Sequence, residues 1–473
     1  MLPLTLAVSL ALAPPTRAQV AELTPQTTLA AAEAPGFALI EAAPVADAPS
    51  VLLRDAHVMT ATGAVYERGW VLLEDGVISA LGEGEPPPAP GVATLSLEGR
   101  WITPGLIDPH SHMGVYGWPD AEAHDDGNEV TAVMTAGVWA EHSVKPQDPA
   151  IQRAVAGGVT TILTIPGSAN LIGGRGVVLQ LVPARSGRAM RFPGAPEHLK
   201  MACGENPKRY HGDQGRMPST RMGAMFTLRQ AFLEAAVARQ EWDAWEQATA
   251  EPQGRKKKDA PQPAEPPERD LATETLVGVL RGEILPQIHC YRADDMLAML
   301  QLADEMGFSI RAFHHATSAY KIRDVLAERD VGAVTWSDWW GFKMEAMDGI
   351  PQGVGLLQDA GAHVTLHSDS PSYGQILNQD AAKALREARR VGLDISEDQA
   401  LAWITLQPAW VLGIDQLTGS LEPGKRADVV VWSGHPFGAT TRADLVFIEG
   451  ALRYDRERPQ TWSDFELGRE VQP

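Results

Sequence analysis

Trp101-Ile102-Thr103-Pro104-Gly105-Leu106-Ile107-Asp108-Pro109-His110-Ser111-His112 is the stretch on which the reading of this chain turns. Ile102, Leu106 and Ile107 are apolar and β-prone, so the segment is predicted to be a buried strand running into two histidines. Alternate side chains of a strand share a face. His110 and His112 therefore point one way and Ser111 the other. Two imidazoles on one face can hold one divalent ion, because neutral imidazole is a good zinc ligand. An ion held this way with an open position lowers the pKa of its water to about 7 and makes a hydroxide nucleophile. The competing reading is a pair of partly buried histidines at a strand end, and the rest of the chain weighs between the two.

Outward from this stretch, residues 101 to 414 alternate apolar strand-like runs with helical patterns. The runs include Thr160-Thr161-Ile162-Leu163-Thr164-Ile165, Leu285-Pro286-Gln287-Ile288-His289 and Ala362-His363-Val364-Thr365-Leu366, and helices are predicted over 295–306 and 379–391. Such alternation implies βαβ units and a parallel sheet. The interval from His110 to Asp369 is close to the roughly 250 residues usual for a (β/α)8 TIM barrel. A barrel is preferred to an open sheet because polar residues recur at the strand ends, where barrel sites form. Both ends of the chain read differently. Residues 51–83 and 429–454 are short β-rich runs with turns, and Glu74-Asp75-Gly76 is a hairpin signal.

The chain has 473 residues, of which 44% are hydrophobic and 21% charged, enough for a large core. Its net charge of −20 argues against nucleic acid or an anionic membrane surface as partner, since both need basic patches. No run in the body of the chain is long enough for a transmembrane helix. Leu2 to Ala13 is almost wholly apolar and Thr16-Arg17-Ala18 ends in a small residue, which reads as a signal peptide over 1–18, although a positive n-region is missing. Residues 19–48, rich in Ala, Pro and Glu, read as an exported linker. The expected location is periplasmic or secreted. With only Cys203 and Cys290, no disulfide framework is expected, and both read as buried, inert thiols. Residues 251–270, with five prolines around Arg255-Lys256-Lys257-Lys258, read as a surface loop with a solvated charge run.

Five strand-end segments look able to meet: His110/His112, Leu199-Lys200-Met201-Ala202-Cys203-Gly204-Glu205-Asn206-Pro207-Lys208, His289-Cys290-Tyr291-Arg292-Ala293-Asp294-Asp295, His314-His315-Ala316-Thr317 and His367-Ser368-Asp369-Ser370-Pro371. Histidines with a carboxylate, ordered along a barrel, make a metal-site inventory. Tyr291 shares strand parity with His289 and should face substrate. Arg292 with Asp294 and Asp295 reads as a local salt-bridge group. Trp339 and Trp340 read either as the wall of an apolar pocket or as plain packing. Asp126-Gly127-Asn128-Glu129 lies in the loop after the first strand, on the substrate side, with no role assigned.

This set resembles the amidohydrolase superfamily of metal-dependent hydrolases, within it the group related to imidazolonepropionase. The likeness is carried by residues 104–112, Pro166-Gly167-Ser168-Ala169-Asn170, Gly204-Glu205-Asn206-Pro207-Lys208, Tyr291-Arg292-Ala293-Asp294-Asp295, Ser337-Asp338-Trp339-Trp340, His367-Ser368-Asp369 and Gly419-Ser420-Leu421-Glu422-Pro423-Gly424-Lys425-Arg426-Ala427-Asp428. It covers nearly the whole mature chain. It implies a barrel over 101–414 and a small β-sandwich built from 49–100 and 415–473. It also implies that His110, His112, His289 and His315 bind metal, with Asp369 as a further ligand and general base. His315 is chosen over His314 because the pattern His-Ala-Thr-x-Ala-Tyr-Lys starts there, so His314 should face the opposite way. In two-metal members of the superfamily a carbamylated lysine bridges the ions. Lys200 fits that place, with Glu205 as rival, so one or two Zn2+ ions are expected. The implied activity is hydrolysis of a non-peptide C–N bond, such as a cyclic amide or the amide of a small modified dipeptide. Two other functions stay open: an Xaa-Pro-like dipeptidase, and a metal-binding protein without catalysis. A structural or adhesive secreted protein is disfavoured by the histidine set.

Overall fold

The computed structural model describes residues 48–250 and 265–458. The signal peptide, all but the last residue of the linker, and the basic part of the 251–270 insertion lie outside the described residues.

Strands from both chain ends form one sheet. It comprises β1 (Val51–Met59), β2 (Val65–Glu74), β3 (Val77–Glu83), β4 (Ala93–Ser96), β5 (Trp101–Pro104), β14 (Val429–Trp432), β15 (Ala443–Ile448) and β16 (Ala451–Asp455). Their order is β16-β15-β14-β5-β1-β2-β3, with β4 beside β1. The hairpin signal holds: Leu73 pairs Ile78 and Glu74 pairs Val77, with Asp75 and Gly76 both at positive φ. Leu73 and Ile78 share one buried core with Val429, Val431 and Phe447, so the sequence termini close a single apolar unit.

A second sheet of eight strands is nearly closed. It runs β6 (Leu106–Ser111), β7 (Val159–Thr164), β8 (Ile172–Gln180), β9 (Glu197–Ala202), β10 (Ile284–Cys290), β11 (Ala312–His315), β12 (Gly332–Thr335) and β13 (Val364–Leu366), each beside the next. The chain passes between the sheets at Gly105. Its amide bonds Asp428 O in the first sheet, and the next amide, of Leu106, bonds Gly158 O at the start of the second. A Cβ on Gly105 would collide with Thr160. The single strand expected from Ile102 to the histidines is thus two strands, and Trp101–Pro104, expected in the barrel, pairs instead with β14 and β1.

The expected all-parallel barrel is corrected at β8, which is antiparallel to both β7 and β9. The reason is chain length. Residues 165–171 cannot supply the dozen or so residues of a parallel crossover. The other neighbours are parallel, and helices pack outside them. The helix Ala293–Met306 buries Met296, Met299, Leu300, Leu302 and Ala303 and ends at left-handed Gly307. The helix Leu377–Arg390 follows β13 as predicted, within two residues.

The edge strands β6 and β13 make no ladder. They meet through Asp369 N to His110 O at 3.2 Å, and through Asp108, which accepts from the Ser368 amide at 3.1 Å and the Ser368 hydroxyl at 2.5 Å. Cys203, just beyond β9, and Cys290, the last residue of β10, are joined by a disulfide with their Cα atoms 5.3 Å apart. This corrects the expectation of two separate thiols. Adjacent strand ends bring the two Cα atoms into bridging range, which spacing in sequence does not reveal. Among the described residues, no helix is long and apolar enough to cross a membrane.

Candidate metal centre

His110 is the penultimate residue of β6 and fully buried, and His112 follows one residue past the strand. His112 Nδ1 bonds Ile165 O at 2.7 Å, which leaves Nε2 to face Asp369 Oδ1 at 3.2 Å. His110 Nε2 lies 3.6 Å from the same oxygen, and His315 Nδ1 is 3.9 Å from Asp369 Oδ2. Asp369 itself sits at φ 48, a left-handed turn three residues past β13, with its carboxylate beside these rings. Burial alone would raise its pKa. The hydrogen bond and charge of His112, helped by His367 and Lys200, outweigh that, so Asp369 is held below the usual carboxylate value.

The structure brings every sequence-predicted ligand to this region. His289 packs its ring 4.4 Å from that of His315, and its Nδ1 bonds Ser168 Oγ at 3.0 Å, leaving Nε2 inward. Lys200 is fully buried, and burial pushes its amine down to about 7. Glu205, the rival of Lys200, falls outside the two tight ligand groups of the cluster, His110/His315/His367 and His110/His112/Asp369. Its backbone amide donates instead to Glu345 at 2.8 Å.

Two placements differ from expectation. His314 does not face away, because its Nδ1 lies 2.8 Å from His110 Nδ1, and its Nε2 is 2.6 Å from Gln287 Oε1. Strand parity fails here because His315 and Ala316 turn left-handed, at φ 67 and 41, so both histidines reach His110 from different sides. With both nitrogens engaged, His314 orients His110 rather than facing the open centre. The second difference is His367, quoted in its segment but not selected as a ligand. Its ring stacks 5.0 Å from that of His110. The missed signal was the spacing His367-Ser368-Asp369, the same alternation that singled out His110 and His112.

Six buried nitrogens here have no hydrogen-bond partner: His110 Nε2, His289 Nε2, His315 Nδ1, both ring nitrogens of His367 and Lys200 Nζ. Burial, with Lys200 second, lowers the pKa of His110 and His289 well below the usual histidine value, and burial brings His367 to about 3. Neutral imidazoles with unused lone pairs are the donor set a divalent ion requires, and leaving them unpaired costs free energy. The residues fit such an ion.

The surroundings are aromatic. Tyr291, buried, sets its ring 4.7 Å from that of His289 and 5.4 Å from that of His315. Trp336, unmarked in the sequence, stacks 4.7 Å from His315, and Trp339 stacks on Trp336 at 5.7 Å, which places Trp339 in the wall. Trp340 is exposed. Arg292 pairs with Asp294 at 2.6 Å, as read from the sequence, whereas Asp295 pairs with Arg221 at 2.7 Å. Asn128, in the loop after β6, bonds Tyr116 Oη, and the Tyr116 ring lies 5.3 Å from that of His112.

The model of the amidohydrolase family matches residues 346–454, a span holding His367, Asp369 and the return to the first sheet. A crystal structure of an amidohydrolase from Thermotoga maritima MSB8 shares 34% identity. It aligns over 86% of this chain and 100% of that one, with a TM-score of 0.75. Amidohydrolase tasK of Hapsidospora irregularis is 33% identical over 417 residues, 85% of this chain, but the chain spans only 41% of that relative's length. An imidazolonepropionase of Mesorhizobium japonicum is 24% identical over 415 residues, 78% of this chain and 87% of that protein.

Proposed function

The chain belongs to the amidohydrolase family, and on that premise we propose that it is a metal-dependent hydrolase of non-peptide C–N bonds in small molecules. The observation that carries the proposal is the convergence of six unpartnered buried nitrogens beside an ionised Asp369. His110, His112, His289, His315 and His367 would hold one or two Zn2+ ions in what we read as a (β/α)8 TIM barrel with one reversed strand. Lys200 joins them as a ligand through carbamylation, in which its neutral amine adds to CO2 and loses a proton.

A bound ion supplies a Lewis acid and an acidified water. The protein supplies the rest. Asp369 takes a proton at a carboxylate oxygen from the attacking water and returns it to the departing nitrogen as the C–N bond breaks. His314 and Ser168 hold the His110 and His289 rings, Tyr291 presents a hydroxyl to substrate, and Trp336 with Trp339 shields the reacting carbonyl from bulk water. Export belongs to the same proposal, because the apolar stretch 2–13 precedes a small-residue cleavage point. N-terminal sequencing of the native protein should begin near Gln19, and an intact Met1 in a cytoplasmic fraction would refute export.

The test is elemental analysis followed by a hydrolysis panel of cyclic amides, N-acyl amino acids and dipeptides. We expect one to two zinc ions per chain, turnover of at least one class, loss of turnover on chelation and recovery with Zn2+. Protein that takes up no divalent ion, or that binds metal and hydrolyses nothing in the panel, overturns the reading.

A further inference from the structure

The loop between β12 and β13 carries a cation that the reaction described above does not use. Lys343 is half-buried, and its ammonium donates to Asn206 Oδ1 at 2.8 Å and to Tyr291 Oη at 3.3 Å. It stands 5.3 Å from the centre of the Tyr291 ring and 5.9 Å from that of Phe342. Among the described residues no carboxylate comes within ion-pair distance of it, whereas Arg221 is paired with Asp295 and Glu345, and Arg292 with Asp294. Glu205 is its nearest opposing charge by electrostatic effect, yet Glu205 Oε1 is buried without a hydrogen-bond partner, so the two do not neutralise each other by contact.

The position of Lys343 is fixed. Two residues on, buried Glu345 accepts from the Glu205 amide at 2.8 Å and pairs with Arg221, whose other nitrogen bonds Asp295 at 2.7 Å. This ion-pair network ties the loop to the helix Arg221–Ala250 and to the start of the helix Glu205–Gly212. A cation held partly out of water by structure, with neutral hydrogen-bond partners but no carboxylate in contact, is set up to receive an anion.

The donors also converge. Tyr291 Oη accepts from Lys343, so its own O–H is left to donate. Lys343 retains a third N–H. The Tyr291 ring meanwhile touches the rings of His289 and His315. A group bound by the lysine and the phenol therefore sits one phenol ring away from the histidine cluster. That spacing suits a carboxylate one or two bonds from the nitrogen of an amide whose carbonyl lies at the cluster.

We propose that Lys343, with the Tyr291 hydroxyl, is the specificity-determining pair that binds a substrate carboxylate, so that the preferred substrates are amides carrying a free carboxylate on the amine side, as N-acyl amino acids do. The inference rests on the hydrolase reading, which names the bond cleaved but not the group beside it. Asn206 holds the ammonium when the site is empty, and Phe342, Trp336 and Trp339 favour an apolar acyl or side-chain group next to it.

The test uses zinc-loaded full-length protein and matched pairs: N-benzoylglycine with N-benzoylglycinamide, and the corresponding phenylalanine and proline pairs. Benzoate release gives kcat/KM for each, and calorimetric titration gives binding where turnover is absent. A hydrogen bond to a charged group implies a preference for the acid of about 10- to 100-fold. Lys343→Met should bring the acid-to-amide ratio close to one, chiefly through KM, and Lys343→Arg should keep part of it. Wild-type protein that shows no preference for the acid in either readout overturns the proposal. So does a Lys343→Met variant, folded and with its metal, that keeps the wild-type ratio. Absence of turnover on all pairs together with an acid preference in binding counts against the hydrolase reading alone.

Discussion

Asp369 is subject to two opposing effects. Burial favours its neutral form, and the His112 hydrogen bond with nearby positive charge favours the carboxylate; the second prevails. An ionised carboxylate within 3.2 to 3.9 Å of three imidazoles can take a proton, whereas an amide of the same shape cannot. Asp369→Asn should therefore keep the fold and most of the metal, since five histidines remain. Turnover should fall by on the order of 10² or more, the usual contribution of general acid–base catalysis. Near-normal kcat with metal bound would move the base elsewhere. Strand parity alone exposed His110 and His112, and the same i, i+2 spacing marks His367 beside Asp369. Parity misled at His314, because a backbone turn at φ 67 cannot be read from a sequence. Lys343 was invisible for a different reason. It reaches the site from an irregular loop, where no periodicity ties a residue to a face.

The strands place these residues, and one covalent link joins two of them. Cys203 and Cys290 clasp the ends of β9 and β10, Cys290 next to His289 and Cys203 three residues beyond Lys200, and the Cys203 amide also bonds His289 O at 2.8 Å. The bridge spans a sequence separation of 87, a long loop whose closure restricts the unfolded chain. Replacing both cysteines with serine should lower unfolding stability by about 2–4 kcal/mol. Urea midpoints of wild type with and without reductant should differ in the same direction, and thiol titration of denatured, unreduced protein should find no free thiol. Equal midpoints would remove the bridge from the stability of the native protein. Strands β7, β10 and β13 were legible from apolar runs, but β8 was not among the runs read, nor was its direction. The brevity of residues 165–171 did contain that information, because a parallel connection needs a crossover. The break at Gly105 was also hidden, since Trp101 to Ser111 is β-prone on both sides of a residue whose close side-chain neighbour, Thr160, is distant in sequence.

At the scale of the whole molecule the barrel sheet has a seam. Every neighbouring pair from β6 to β13 shares a ladder, but β13 and β6 do not. What joins them is the Asp369 to His110 backbone bond, the Asp108 to Ser368 bonds, and the side chains of the metal centre. His110 and His112 come from the β6 side of the seam, and His367 and Asp369 from the β13 side. An ion bound by both sets would close the barrel where backbone pairing stops. Metal would then be structural as well as chemical, and its removal should be felt along the seam first. An ion present at 1,000 times its dissociation constant stabilises the native state by about 4 kcal/mol. Dialysis against a chelator should lower the melting temperature reversibly, with zinc restoring it. Hydrogen exchange should rise in residues 106–111 and 364–369 before it rises in the ladder between β9 and β10. Asp108→Asn removes an acceptor from the same seam, so its destabilisation should be larger in the metal-free protein than in the zinc-loaded one. A melting temperature that ignores chelation, or exchange that rises evenly around the barrel, would show that the seam is held by packing and that the ion acts in catalysis alone.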